Sequence, residues 1–402
     1  MGHWNEAKIK DFAEVKGGKR LPKGKQLIKE PNNHPYIRIR DLGKTKYLQL
    51  NSDYEYVDDE TQQSIARYTV NKGDILISVV GTIGLIGIVG DTLDKANQTE
   101  NCDKIINIKN ILPEYLYYYL VSDFGQDEIR KRTVGAVQPK LPLKNVQDIS
   151  VFYPPIKEQE KIVNILSSID KKIEMNNSIN KNLEQQAQAL FKSWFLDYTP
   201  WGGIVPDSWI DGKLGDFADI KRGGSPRPIQ EYLSSSGLRW LKISDVTSLQ
   251  TPFVIDIKDH IIEEGLKKTV FLKAGSLVLS NSATPGIPKI LDVDSCIHDG
   301  WLYFPESKFS KEYLYLYFKY IRQQLVNLSN GSVFNNLKTD ILKGYPTILP
   351  DEQTLQCFDS IVKPIFLQMQ NLTRESHRLA DTRDAILPQL MSGELDVSNI
   401  DI

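Results

Sequence analysis

The residue types best suited to binding chemistry fall in two glycine-flanked basic loops and the segments that follow them. KGGKRLPKGK, from Lys16, holds Lys16, Lys19, Arg20, Lys23 and Lys25. KRGGSPRP, from Lys221, holds Lys221, Arg222, Ser225 and Arg227. Arg38 and Arg40 alternate with Ile37 and Ile39, which predicts one polar strand face, and Lys242 and Ser244 repeat that placement later. A third segment carries Arg132, Thr133, Gln138 and Lys140, and its later counterpart carries Ser332, Asn335 and Asn336. Lysine, arginine, serine and threonine grip phosphate oxygens, while arginine, asparagine and glutamine also match base edges. These residues are therefore candidate DNA contacts. A solvated polar surface is the alternative reading of the same loops.

Bond-making chemistry finds less support. A base-methylating loop needs a polar residue before Pro-Pro and an aromatic after it. Tyr153-Pro154-Pro155-Ile156 has neither and reads as a strand end before a helix. Gly81, Gly84 and Gly87 are spaced three apart, not as the dinucleotide fingerprint requires, and Gly43-Lys44-Thr45 has Arg38 where a phosphate loop needs its first glycine. His3, His34, His260, His298 and His377 are scattered, and none pairs with another His or Cys at ligand spacing. No catalytic residue, metal or cofactor is expected.

The chain has 402 residues, 41% hydrophobic and 25% charged, with a net charge of -2. That excludes a polycation, so a DNA-binding surface would have to be local. Cys102, Cys296 and Cys357 lie far apart and read as reduced thiols of a cytoplasmic protein. The opening residues lack an apolar signal core, and no membrane segment is expected. The longest apolar run, ILISVVGTIGLIGIVG from Ile75, is broken by glycines and reads as strands joined by tight turns.

The two halves echo each other in order. DFAEVKGG from Asp11 matches DFADIKRGG from Asp216, and PYIRIRDL from Pro35 matches RWLKISDV from Arg239. KGDILIS from Lys72 matches AGSLVLS from Ala274, and PEYLYYYL from Pro113 matches KEYLYLYF from Lys311. VGAVQPKL from Val134 matches NGSVFNNL from Asn330, and PPIKEQ from Pro154 is echoed by LPDEQ from Leu349. The offset shrinks from 205 to 194, as a duplication with loop deletions produces. The expected layout is a mixed α/β domain over 1–153, a long helix over 154–199, a second mixed domain over 200–349 and a second long helix over 350–402. The tyrosine-rich runs read as core helices, not as base-stacking platforms.

Ile162, Leu166, Ile169, Ile173, Asn176, Asn180, Leu183, Ala187, Leu190 and Trp194 alternate spacings of four and three. Leu355, Phe358, Val362, Ile365, Met369, Leu372, Ser376, Leu379, Arg383, Ile386 and Leu390 do the same in the second segment. Both read as seams of a coiled coil, with the polar positions fixing register. Pro364 is expected to kink or break the second helix. The fold class is α+β: two tandem, β-rich mixed α/β domains, each followed by a long helix, with the helices packed as an antiparallel coiled coil. The duplication then implies an approximate two-fold axis. Ordinary bundle helices are the alternative.

LEQQAQALFKSWFLDY (Leu183 to Tyr198), PPIKEQEKIVNIL, LPDEQTLQCFDSIVKPI and RDAILPQLMSGEL together resemble the specificity subunit of type I restriction–modification systems. The resemblance covers the whole chain. It implies a non-catalytic subunit whose two domains each read half of a bipartite, asymmetric duplex DNA sequence. It also implies partners: two DNA-adenine methyltransferase subunits docked on the helices, and restriction subunits with translocase activity. A coiled-coil scaffold that reads no DNA is the competing expectation.

Overall fold

The computed structural model describes residues 4–329 and 336–397. They form two compact units. One holds the residues up to Lys171 together with those from Leu379 on, and the other holds Lys172–Arg378.

In the first unit a five-stranded sheet runs in the order Glu14–Gly17, Cys102–Ile106, Ile75–Ser78, Ile86–Val89, Tyr47–Leu48. The first three neighbouring pairs are antiparallel and the last is parallel. The second unit repeats both order and sense with Lys221–Arg222, Trp301–Tyr303, Leu277–Ser280, Pro288–Leu291 and Phe253–Val254. A smaller sheet in the first unit, Glu55–Tyr56, Pro35–Ile37, Asn97–Gln98, matches the middle three strands of a five-stranded sheet in the second: His260–Ile261, Leu238–Leu241, Ser295–Ile297. The glycine-broken apolar run forms the hairpin Ile75–Ser78 and Ile86–Val89, buried on both faces, which is why it reads as continuous apolar sequence.

The tyrosine-rich runs form the helices Pro113–Val121 and Lys311–Ser329. Tyr115, Tyr118 and Tyr119 are buried beneath the first sheet, and Tyr313, Tyr315 and Tyr317 occupy the corresponding core. Burial pushes the Tyr119 hydroxyl up to about 12.

The long helices are Ile156–Phe195 and Glu352–Ser392. Tyr153 ends a strand and Ile156 opens the first helix, so Pro154-Pro155 is a junction. The second helix stays unbroken through Pro364, against the expected break. Its proline ring is exposed while Val362, Phe366 and Met369 are locked into the core on either side. That packing offsets the ~3 kcal/mol cost of an interior proline.

Within each unit the two helices run antiparallel. In the second, Asn176 Nδ2 donates to Glu375 at 2.8 Å and Asn180 Nδ2 to Thr373 at 3.1 Å, while Phe191 packs on Phe358. In the first, Arg383 donates to Asp170 at 3.0 Å, and Ile162 and Leu166 share a core with Leu387 and Leu390, flanked by Ile386. The outer seam positions Leu183, Leu190, Trp194, Leu355 and Ile365 are half-buried against the second core, where Val362 is fully buried. Phe191 and Phe195 are buried more deeply than Leu190 and Trp194, because that stretch faces a globular core as well as the partner helix. Ile169, Ile173, Leu372 and Leu379 are half-buried along the polar middle of the seam.

Lys46 is 5% exposed and anchors the first sheet to the first long helix. Its Nζ reaches Tyr118 at 3.0 Å, Ser167 at 2.8 Å and the Asp170 carboxylate at 3.9 Å. No helix among the described residues is long and apolar enough to cross a membrane.

Candidate nucleic-acid interface

Four segments meet at one end of the large sheet in the first unit, and the same four meet in the second. Gly18 N donates to Cys102 O at 3.1 Å, Val79 N to Asn101 O at 2.8 Å and Leu141 N to Val79 O at 2.8 Å. The second unit repeats these bonds: Gly223 N to Trp301 O at 2.9 Å, Asn281 N to Gly300 O at 2.9 Å, and Leu337 N to Asn281 O at 2.8 Å. Glycine is required where the basic loop crosses its neighbour. A Cβ on Gly18 would lie 2.0 Å from Thr99 O, and one on Gly223 would lie 2.2 Å from His298 O.

The turn between the hairpin strands is built twice around one serine. Ser78 Oγ donates to Thr82 O at 2.6 Å and accepts from Leu85 N at 2.8 Å; Ser280 Oγ does the same with Thr284 O and Ile287 N at 2.6 and 2.8 Å. On that shared backbone the first unit carries Val80-Gly81-Thr82-Ile83 and the second carries Ser282-Ala283-Thr284-Pro285. Gly81 has φ 75° and Ala283 takes the same left-handed region at 56°. One backbone thus keeps a threonine at one place, Thr82 or Thr284, and changes its neighbours from Val80 and Ile83 to Ser282 and Pro285.

The basic loops close on carboxylates. Arg20, 80% exposed, donates from Nε to Glu100 at 2.6 Å. In the second unit Asp299 takes hydrogen bonds from Ser225 Oγ at 2.7 Å and Arg227 Nη2 at 3.0 Å, while Arg222 Nε reaches its backbone carbonyl. Burial works to raise both acids, but the donors around them outweigh it. Arg20 and Thr99 leave Glu100 below the usual carboxylate range, and Ser225, Arg222 and Arg227 do so for Asp299. Glu100 and Asp299 occupy one repeat position, each two residues before the carbonyl that receives the loop glycine. The residue pattern gave no sign of them as partners of the loops.

The remaining candidates divide by location. Lys23 is exposed and makes no ion pair among the described residues, and Lys19 lies over the Tyr68 ring at 5.7 Å. Gln138 and Lys140 stand exposed on a short hairpin whose tip residue, Val137, is 93% exposed; Lys140 bridges Val80 and so reaches the loop cluster. Lys16 pairs with Glu14, Lys25 with Asp58 and Glu60, Lys221 with Asp219, and Lys242 with Asp259. Arg132 is half-buried and ties its helix end to Asp148 O and Glu128, and Thr133 Oγ1 donates back to Ile129 O. Asn336 is half-buried; Ser332 and Asn335 lie outside the described residues.

Arg38 and Arg40 do not share a strand face. The strand ends at Ile37, and Ile39–Asp41 is a 3-10 turn because Asp41 accepts the Arg38 backbone N–H at 2.8 Å. Both arginines reach Glu55. Lys242 and Ser244 repeat the departure: the strand ends at Leu241, Asp245 accepts Lys242 N at 2.8 Å, and Ser244 opens a short helix.

The family model for the type I restriction modification DNA specificity domain matches residues 1–185 and again 206–368. The chain belongs to that family. Among curated relatives, the specificity subunit of the type I restriction enzyme MjaIX from Methanocaldococcus jannaschii is 24% identical over 423 residues, covering 99% of this chain and 94% of that protein. The HindI specificity subunit from Haemophilus influenzae is also 24% identical, over 90% of this chain and 94% of its own length. The crystal structure of a type I restriction–modification S subunit from M. genitalium shares the fold, with a TM-score of 0.60, 15% identity and 96% of each chain covered. The family's two-copy architecture is thus present here as a repeat of strand order, turn and loop anchoring.

Proposed function

We propose that this specificity-family member reads a bipartite, asymmetric duplex sequence, one half by the loop cluster of each unit, without chemistry of its own. The repeated turn carries the reading, because one backbone bearing different side chains is what two different half-sites need. Val80 and Ile83 offer apolar contact to thymine methyls, and Ser282 offers a hydroxyl in the second unit, while Thr82 and Thr284 stand at one shared place. Arg20, Lys23, Arg222 and Arg227 hold phosphates, while Gln138, Lys140 and Asn336 sit where base edges or phosphates pass. The recognition domains span 1–153 and 200–349. The segments 154–199 and 350–402, which carry the two long helices, space them and dock two DNA-adenine methyltransferase subunits, which restriction subunits then join. Three unpaired cysteines support a cytoplasmic setting.

Genome-wide methylation mapping, with the chain and its methyltransferase partner expressed in a methylation-free host, tests this. Two short half-sites separated by a fixed gap are expected. Inserting one heptad into each long helix at matched positions lengthens them by about 10 Å at 1.5 Å per residue. The gap should then grow by about three base pairs with both half-sites unchanged. Absence of any chain-dependent methylated sequence would leave a scaffold that reads no DNA.

A further inference from the structure

Glu100 and Asp299 stand at one repeat position, and each closes on the arginines of a basic loop whose sequence differs from the other. KGGKRLPKGK and KRGGSPRP share little beyond glycines and cations, yet Arg20 in one and Arg227 in the other donate to a carboxylate at 2.6 and 3.0 Å. The loop backbone does not need those acids for its position. Gly18 and Gly223 are fixed by main-chain bonds to Cys102 and Trp301. In the first unit the carboxylate therefore acts on a guanidinium group and not on the loop's course; in the second, Asp299 also accepts from Ser225 Oγ at 2.7 Å, besides facing Arg222 and Arg227.

Solvent-exposed ion pairs hold weakly, so any phosphate backbone draws the arginines away at little cost. What remains is a carboxylate held by one hydroxyl, Thr99 at 3.1 Å for Glu100 and Ser225 at 2.7 Å for Asp299, with its other oxygen open to the duplex. It repels phosphate and is satisfied only by a donor on a base edge, such as the amino group of cytosine. Neutral polar residues there would leave the loops free to grip any sequence. We infer that Glu100 and Asp299 are specificity-determining residues: they restrain the basic loops from non-target duplex and release them where the sequence supplies a donor. The inference rests on the DNA reading proposed above.

The test uses the full chain bound to its methyltransferase subunits, carrying Glu100→Gln, Asp299→Asn or both. Binding is followed by fluorescence anisotropy from 50 to 250 mM salt on two probes: the mapped target duplex and an equal-length duplex with both half-sites scrambled. Affinity for the scrambled duplex is expected to rise about three- to tenfold per substitution, with a salt slope steeper by up to about 0.9 for each further phosphate the loops neutralise. Target affinity should change less, so discrimination falls. Arg20→Ala combined with Glu100→Gln should show no rise, and Glu100→Asp should keep discrimination. Unchanged scrambled-duplex affinity in both single variants overturns the inference. So does equal weakening on both probes, the result expected of structural struts. If the unsubstituted complex fails to separate the two probes, the DNA reading falls as well.

Discussion

Gly18→Ala and Gly223→Ala should each disable one loop cluster and leave the other intact. The new methyl carbon would sit 2.0 Å from Thr99 O in the first case and 2.2 Å from His298 O in the second. Real approaches of this kind stay beyond 3.0 Å, so the loop or its neighbour must move by about 1 Å. The obstructing atoms are backbone carbonyls between fixed strands and cannot rotate aside. The loop must therefore lift, breaking Gly18 N to Cys102 O and Lys19 N to Gln98 O at 3.1 and 3.2 Å. At ~1–3 kcal/mol for each hydrogen bond lost without replacement, a stability loss of about 2–6 kcal/mol follows for the two bonds. Calorimetry reads that loss. Methylation of targets bearing one intact and one altered half-site reads the recognition defect, which should appear at one half for Gly18→Ala and at the other for Gly223→Ala. Unchanged stability and an unchanged methylation pattern in both variants would refute the close-approach reasoning.

Other outcomes follow from buried polar groups. Asn180 Oδ1 is buried without a hydrogen-bond partner and its Nδ2 serves Thr373, so replacing both partners, Asn180→Leu with Thr373→Val, should stabilise the helix pair by about 1 kcal/mol, raising Tm by about 2–4 °C for a unit of this size; a lower Tm would contradict it. Asp170→Ala should destabilise the first unit by about 3 kcal/mol, since the buried Lys46 loses its carboxylate, and urea unfolding measures this. Burial pushes the Asp103 carboxyl up to about 6 from its ordinary 3.8. The folded form then holds its proton more tightly than the unfolded chain, so this group's contribution to stability is greatest below pH 4 and is lost as pH rises to about 6. Asp103→Asn should flatten that decline and stabilise the protein at pH 8 by no more than about 3 kcal/mol; a pH–Tm profile with an unaltered slope would count against it.

The large-scale plan was legible because duplication and periodicity are local, repeated signals. Among the described residues the matched segments became matched strands and helices, and Tyr153-Pro154-Pro155-Ile156 became a strand-to-helix junction. What escaped depended on partners remote in sequence or on short capping bonds. Arg20 meets Glu100 80 positions away, and Arg222 meets Asp299 77 positions away, separations that no periodicity reveals. The supposed strand face of Arg38 and Arg40 failed for a local reason. Asp41 and Asp245 sit three residues beyond Arg38 and Lys242 and capture their N–H groups. That acidic residue at matching places in both copies was a readable turn signal, overshadowed by the alternation before it. Pro364 misled because its helix is held by packing and not by propensity.

The first compact unit is not continuous in sequence, and this sets the order in which the protein can be completed. Leu390, Met391 and Val397 are buried in the same core as Ile9 and Tyr115. The residues of the second unit, ending at Arg378, have all been synthesised before that core has its last pieces. At roughly 5–20 residues per second, the interval between Lys171 and Val397 lasts on the order of 10–45 s. The globular part that is translated first is finished last, and it spends that interval on the ribosome with part of its apolar surface uncovered.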